Sequence, residues 1–243
     1  MYGGLGGLPA TARAMSGTWA LGTAYAEGGF KGRAWYYDFI GFARMAYADG
    51  SYTFRTGSGL DPFVAAQYVR ERAGAGSTLA QSQAKLFGVA GSKVGSRAWG
   101  ADVGVHIPHG GFDLSWNRIA RRDGAVGDGG LVSPYTAGWA SDPLYTTSMI
   151  RGLVEQGPGR AWKARFVYGL LDERLQLAAA YAKYDTARSG RSHDVYFDTA
   201  YNFDGRLQGL SLRNRWERSI GGIGLNPGNR PFVYDRVMIA YRF

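Results

Sequence analysis

The chain has 243 residues, no cysteine, and 28 Lys+Arg against 19 Asp+Glu for a formal charge of +9, with a sequence pI near 9.8. Without cysteine there are no disulfides, zinc-thiolate centres or cysteine nucleophiles. The basic residues stand singly among apolar ones, as in WKARF and LRNRW, which argues against a nucleic-acid-binding tail. The 38 glycines, 16 tyrosines and 14% aromatic content suit a chain of many strands and turns, as one large all-β domain or two ordinary ones.

The start, MYGGLGGLPATARAMSG, lacks the basic end and apolar core of a signal peptide. Its GGLGGLP has no following lysine, so it is no phosphate loop, and residues 1–14 read as a flexible segment. No stretch reaches the roughly 18 consecutive apolar residues of a membrane helix. Period-two alternation then begins. Weaker strands are expected near 15–26, 30–38 and 60–71. Clearer ones are expected at 43–54, 96–107, 111–121, 160–170, 174–184, 193–203, 207–217 and 232–243. That makes about eleven strands of about ten residues, the length that crosses a bilayer at a tilt.

Tight turns are expected at EGG (27–29), RTGSG (55–59), PHG (108–110), DE (172–173) and DGR (204–206), each rich in residues that accept turn geometry. Long links are expected at 72–95, 122–159 and 218–231. Short and long links alternate with little exception, the asymmetry of transmembrane barrels. Alternate positions on strand 160–170 sort Trp162, Ala164, Phe166 and Tyr168 against Lys163, Arg165, Val167 and Gly169. Strand 193–203 sorts Val195, Phe197, Thr199, Tyr201 and Phe203 against Tyr196, Asp198, Ala200 and Asn202. One face suits lipid or a core and the other suits water; the spaced charges read as the lining of something.

The end, RVMIAYRF, places Phe243, Tyr241, Ile239 and Val237 on one face and Arg242 and Arg236 on the other. This is similar to the assembly signal of bacterial outer-membrane barrels. With Phe243 toward lipid, Leu210, Leu212 and Trp216 face outward and Ser211, Arg213, Arg215 and Glu217 face inward, as do Lys163 and Arg165. Guanidinium groups on rigid strands could form a track for carboxylates, or pair with Asp198 and Glu217 to brace the wall.

From Arg33 to Phe243 the chain resembles the C-terminal part of the porin D (OprD-like) family. The resemblance runs through RAWYYDF, AYADGSYTF, FVAAQYVRER, RAWGADVGV, SDPLYTTSMI, GPGRAWKARFVY and LRNRWE. It implies an all-β, antiparallel, up-and-down transmembrane barrel of about 18 strands, of which this chain supplies about 11–12. An odd count without a signal peptide is expected of a product lacking about seven N-terminal strands. A smaller closed barrel would need residues 1–14 or 145–154 to add a strand.

The resemblance further implies passive diffusion of small carboxylate solutes such as amino acids through an arginine-lined lumen. Arg213, Arg215 and Arg236 match that pattern best, followed by Arg242, Lys163 and Arg165. It implies that 122–159 folds into the channel, with Asp142, Tyr145 and Ser148 meeting the cationic or polar end of a solute. The expected partners are the lipid bilayer, lipopolysaccharide and the outer-membrane assembly machinery, with no nucleic acid, cofactor or metal. The alternatives are a soluble or membrane-associated all-β protein that binds anionic ligands, and a barrel hydrolase. For the latter, His106, His109 and His193 show no triad or metal spacing.

Overall fold

The computed structural model describes residues 17–74, 93–132, 143–222 and 230–242. Eleven strands form one antiparallel sheet in sequence order. They are β1 (Thr18–Glu27), β2 (Phe30–Phe39), β3 (Ala43–Thr53), β4 (Asp61–Ala73), β5 (Gly95–Ile107), β6 (Gly110–Ile119), β7 (Gly159–Leu170), β8 (Leu175–Thr186), β9 (Gly190–Asn202), β10 (Leu210–Ile220) and β11 (Phe232–Tyr241). Every neighbour follows in sequence, so each ladder needs only a hairpin link, the arrangement that alternating sequence favours most. The fold is the expected up-and-down sheet with the expected strand count. Among the described residues β1 and β11 do not pair, so the sheet is open. Residues 145–154 add no strand, and 1–14 lie outside the described residues.

The five expected tight turns all lie at one end of the sheet. At Gly28 the β1–β2 turn takes φ +59°, which glycine adopts without steric cost. The β7–β8 turn instead uses Leu171, Asp172 and Glu173 at φ between +53° and +65°, a backbone that costs such residues about 1 kcal/mol each. Side chains tie these turns together: His109 Nδ1 lies 2.7 Å from Glu173 and Arg174 pairs with Asp204.

The opposite end differs from the expected alternation. Links 72–95, 122–159 and 218–231 are long, but β2–β3 and β8–β9 close there in three residues each, 40–42 and 187–189. In the latter, Ser189 N donates to Thr186 Oγ1 at 3.1 Å, a side-chain-made turn that period-two reading does not register.

The two faces have opposite chemistry. One is bare and apolar: Leu21 is 71% exposed, Val237 64% and Ile239 74%. Aromatic pairs cross it between strands, Trp19–Tyr36 at 5.5 Å, Trp162–Tyr181 at 5.2 Å and Phe197–Trp216 at 5.8 Å. On β7 this band runs from Trp162 to Leu170 through Ala164, Phe166 and Tyr168. The other face carries the β6–β7 link. Leu131, Leu144 and Leu153 of that link pack on Tyr47, Val69, Ala98, Ile119, Ala161, Ala182 and Tyr184 of the sheet. Burying each of these leucines is worth roughly 2 kcal/mol, so the core lies between sheet and link.

Candidate functional site

The site is built where the β6–β7 link lies on the polar face of the sheet. That face alternates with the apolar band, so every second residue of β4 to β10 points at the link. Several of the polar groups it presents meet partners on the link, whereas Arg165, Arg213 and Arg215 pair with aspartates of the sheet. Tyr145 OH donates to Ala66 O at 3.2 Å and Gln67 Nε2 to Pro143 O at 3.4 Å. Thr146 N donates to Asn117 Oδ1 at 3.0 Å, and Tyr184 OH to Thr146 O at 3.1 Å. Glu71 accepts Val132 N at 3.0 Å near the start of the link. Beyond a single helical turn at Leu153–Gln156, the link returns to β7.

The strongest anchors are ionic. The Arg151 guanidinium grips Asp194, with Nε 2.9 Å from Oδ1 and 3.1 Å from Oδ2, and its Nη1 donates to Gly221 O at 2.8 Å. Both side chains are almost wholly removed from water, and a bidentate fork offsets the cost of burying the two charges. Glu217 accepts Met149 N at 2.8 Å and Ile150 N at 3.2 Å, and lies 3.1 Å from Ser148 Oγ. Residues 143–158 therefore form a strap across the sheet from β4 to β10. Burial pushes the Tyr145 phenol above its ordinary range, so its hydroxyl stays protonated and able to donate.

The residues expected to line a lumen fall into different places. Lys163 lies beneath the strap, 8% exposed, with Nζ on Thr147 O at 2.9 Å, and so anchors the link. Ser148 is also buried: its hydroxyl donates to Arg151 O at 2.7 Å and lies 2.8 Å from Asp194 Oδ2. Arg165 reaches the open part of the polar face, paired with Asp113 at 2.8 Å. Arg213 pairs with Asp198 through two nitrogens, and Arg215 approaches the same carboxylate at 3.5 Å. Arg236 lies opposite Arg215 in the ladder; it is exposed, and among the described residues no ion pair is formed by it. Arg242 lies past the end of β11, its backbone N donating to Gly209 O at 2.9 Å.

Val237, Ile239 and Tyr241 stand on the bare face, whereas Asp142 and Phe243 lie outside the described residues. The histidines are dispersed. His109 is in a turn, His106 stacks on Phe63 at 4.7 Å and His193 on Tyr181 at 5.9 Å. Among the described residues no cluster could hold a metal ion.

Two sequence readings change. Glu217, expected with Asp198 as a brace for the arginines, takes the strap backbone instead, and Asp198 holds both guanidinium groups. Nor do the basic residues all line one face. A second set, including Arg70, Arg97, Arg118 and Arg218, points out of the bare face at the end with the long links. Sequence reading missed Arg151, Asn117 and Tyr184, although the polar parity of Asn117 and Asp194 among apolar neighbours was a usable signal.

No family model and no curated protein matches the sequence, but solved structures match its fold. OccAB3 of Acinetobacter baumannii is 15% identical, with a TM-score of 0.67 over 92% of this chain and 54% of that one. OccK5 (OpdH) of Pseudomonas aeruginosa is 13% identical, with a TM-score of 0.71 over 95% and 59%. Pseudomonas aeruginosa OpdK, solved with vanillate, is 15% identical, with a TM-score of 0.70 over 93% and 56%. The chain thus spans a little over half the length of these proteins. Over that span it has the antiparallel fold of the OprD/Occ-type outer-membrane porins, as an open sheet that covers part of their barrel.

Proposed function

We propose that the chain forms the larger part of the wall of an outer-membrane channel for passive diffusion of small carboxylate solutes. The observation that carries this is the strap. A link hydrogen-bonded across the polar face of an apolar-backed sheet fills part of the space on that face, as the constriction of a channel would. The bare face, with Leu21, Val237 and Ile239 widely exposed, suits lipid and not water. On β7, ten residues separate Arg160 from Leu170, about 33 Å along the strand and roughly 25 Å along the membrane normal at a tilt near 40°. The apolar stretch within it, from Trp162 to Leu170, covers roughly 20 Å of that height, of the order of the apolar band of a membrane barrel.

In this reading Arg165, Arg213, Arg215 and Arg236 line the lumen beside the strap. Asp198 and Asp113 hold three of these guanidinium groups in place on the wall, and Arg236 is the most open to a solute. A carboxylate would meet the forked donors while water remains around it, so it binds weakly enough to leave. OpdK solved with vanillate, itself a carboxylate, is consistent with this class. Tyr145 and Ser148 act through the strap, Ser148 by locking it to Asp194 and Glu217. A closed pore needs the edges of β1 and β11 paired, with each other or with further strands.

The test is planar-bilayer conductance of the 243-residue chain refolded in detergent, with and without an added aromatic or amino-acid carboxylate. Discrete current steps reduced by the carboxylate are expected. Strand-rich circular dichroism with no steps would mean that this chain alone does not close a pore. Steps indifferent to carboxylates would remove the solute class.

A further inference from the structure

On the bare face at the end with the long links, antiparallel register sets arginine directly opposite arginine three times: Arg44 with Arg72, Arg70 with Arg97, and Arg118 with Arg160. Like charges opposite one another on neighbouring strands destabilise a ladder. Asp38 relieves Arg44 and Asp185 relieves Arg160. Among the described residues Arg70, Arg72 and Arg97 pair with no carboxylate. Arg70, Arg97, Arg118 and Arg160 are also held at one level, with the Arg44–Arg72 pair two residues farther along its strands. An outward aromatic stands two residues away toward the middle of the strand: Tyr68 from Arg70, Trp99 from Arg97, Trp116 from Arg118, and Trp162 from Arg160. Tyrosine and tryptophan on an outward face mark the level where hydrocarbon meets headgroups. Two residues further, about 7 Å along the strand, the arginines stand at headgroup height.

A cleft of about 450 Å³ opens at this place, lined by Arg70, Arg72, Lys93 and Arg122. Its one carboxylate, Asp123, is already paired with Arg121 at 3.1 Å. Four cations round one cleft, with the unrelieved Arg70–Arg97 opposition at its edge, fit a ligand carrying more than one negative charge. The cleft is also larger than a phosphate group alone.

We propose that this outward arginine belt, centred on the cleft of Arg70, Arg72, Lys93 and Arg122, binds the phosphate monoesters of a phosphorylated glycolipid in the leaflet facing the long links. Lipopolysaccharide belongs to this chemical class. A phosphate monoester carries more charge than a phospholipid diester and offers three acceptor oxygens. Its sugar fills the space that a bare ion leaves. Bound phosphates sit between the opposed guanidinium groups and turn a repulsion into shared charge-assisted hydrogen bonds. The belt is separate from the lumen arginines, which point out of the opposite face of the same sheet. The proposal rests on the membrane reading given above.

The test uses the full chain refolded in detergent and titrated with a diphosphorylated glucosamine-disaccharide lipid. The comparisons are the same lipid after removal of its phosphates, phosphatidylglycerol, and inorganic phosphate as competitor. Binding at least about tenfold tighter to the phosphorylated glycolipid than to either other lipid is expected. Arg70→Gln with Arg72→Gln and Arg122→Gln should abolish that preference while strand content is unchanged. Equal binding of the phosphate-free lipid or of phosphatidylglycerol, or displacement by millimolar inorganic phosphate, overturns the assignment with no variant needed. A variant that keeps the full preference overturns the cleft. Insertion into phosphatidylcholine vesicles is measured in parallel. A chain that inserts but does not discriminate sinks this assignment alone; one that does not insert sinks the membrane reading and the assignment with it.

Discussion

Asp194 has no water to fall back on, and Arg151 is what makes its burial tolerable. Replacing Arg151 with alanine leaves a charged carboxylate in the wall beneath the strap, at a cost of about 3–5 kcal/mol. The sheet ladders do not depend on this pair, so the cost falls on the strap. Limited proteolysis of the folded chain should show residues 143–158 cut markedly faster in Arg151→Ala than in the parent. Replacing both partners, Arg151→Met with Asp194→Leu, removes the buried charge as well and should restore most of the protection. Cleavage of Arg151→Ala at the parent rate would show that the strap is held by its other contacts, with Glu217, Asn117 and Tyr184. Lys163 has the same logic in milder form: its ammonium lies under the strap on a carbonyl, where a solute has little access.

At the scale of elements, the strands were legible because each alternates on its own, and the parity of Trp162 against Lys163 or Phe197 against Asp198 survives in the fold. What alternation could not give was where the strands stop and what the polar face holds. The β8–β9 strands run to a three-residue turn made by Thr186 and Ser189, where the sequence reads as an eight-residue link, because a hydroxyl that closes a turn carries no periodic signal. The strap's contacts with the sheet join residues 16 to 79 positions apart, such as Lys163 with Thr147 and Ala66 with Tyr145, and local pattern is silent at that separation. The inward parity of Arg213 and Arg215 could be read, but their sharing of Asp198 needed the β9–β10 register. One glycine shows how closely strand and strap are coupled. A Cβ on Gly100 would lie 1.9 Å from Asn117 Nδ2 and 2.7 Å from Trp116 O. Gly100→Ala should push the Asn117 side chain aside, break its bond to Thr146 N, and cost about 1–3 kcal/mol. The expected readout is a lower thermal unfolding midpoint in detergent together with faster cleavage of the strap; an unchanged midpoint would mean that Asn117 shifts without loss.

Across the whole molecule the charges divide by face: the bare face concentrates arginine at one end, and the polar face balances most of its arginines with aspartate. This division gives the lumen reading a test with two signs. If Arg213 and Arg215 serve only to brace the wall, removing either side of their pairing with Asp198 weakens the fold and leaves solute handling alone. If they also receive carboxylates, Asp198 competes with the solute for the same donors, and the two sides must act in opposite directions. Arg213→Ala with Arg215→Ala should weaken block by a carboxylate roughly threefold to tenfold and shift the reversal potential toward cations, a modest effect because the groups are partly exposed and screened. Asp198→Asn keeps the side-chain shape, frees both guanidinium groups, and should strengthen the block by a similar factor. Single-channel recording in a salt gradient measures both. Loss of block in both variants, or in neither, would assign these arginines to the architecture of the wall and leave Arg236 as the residue on which carboxylate selectivity depends.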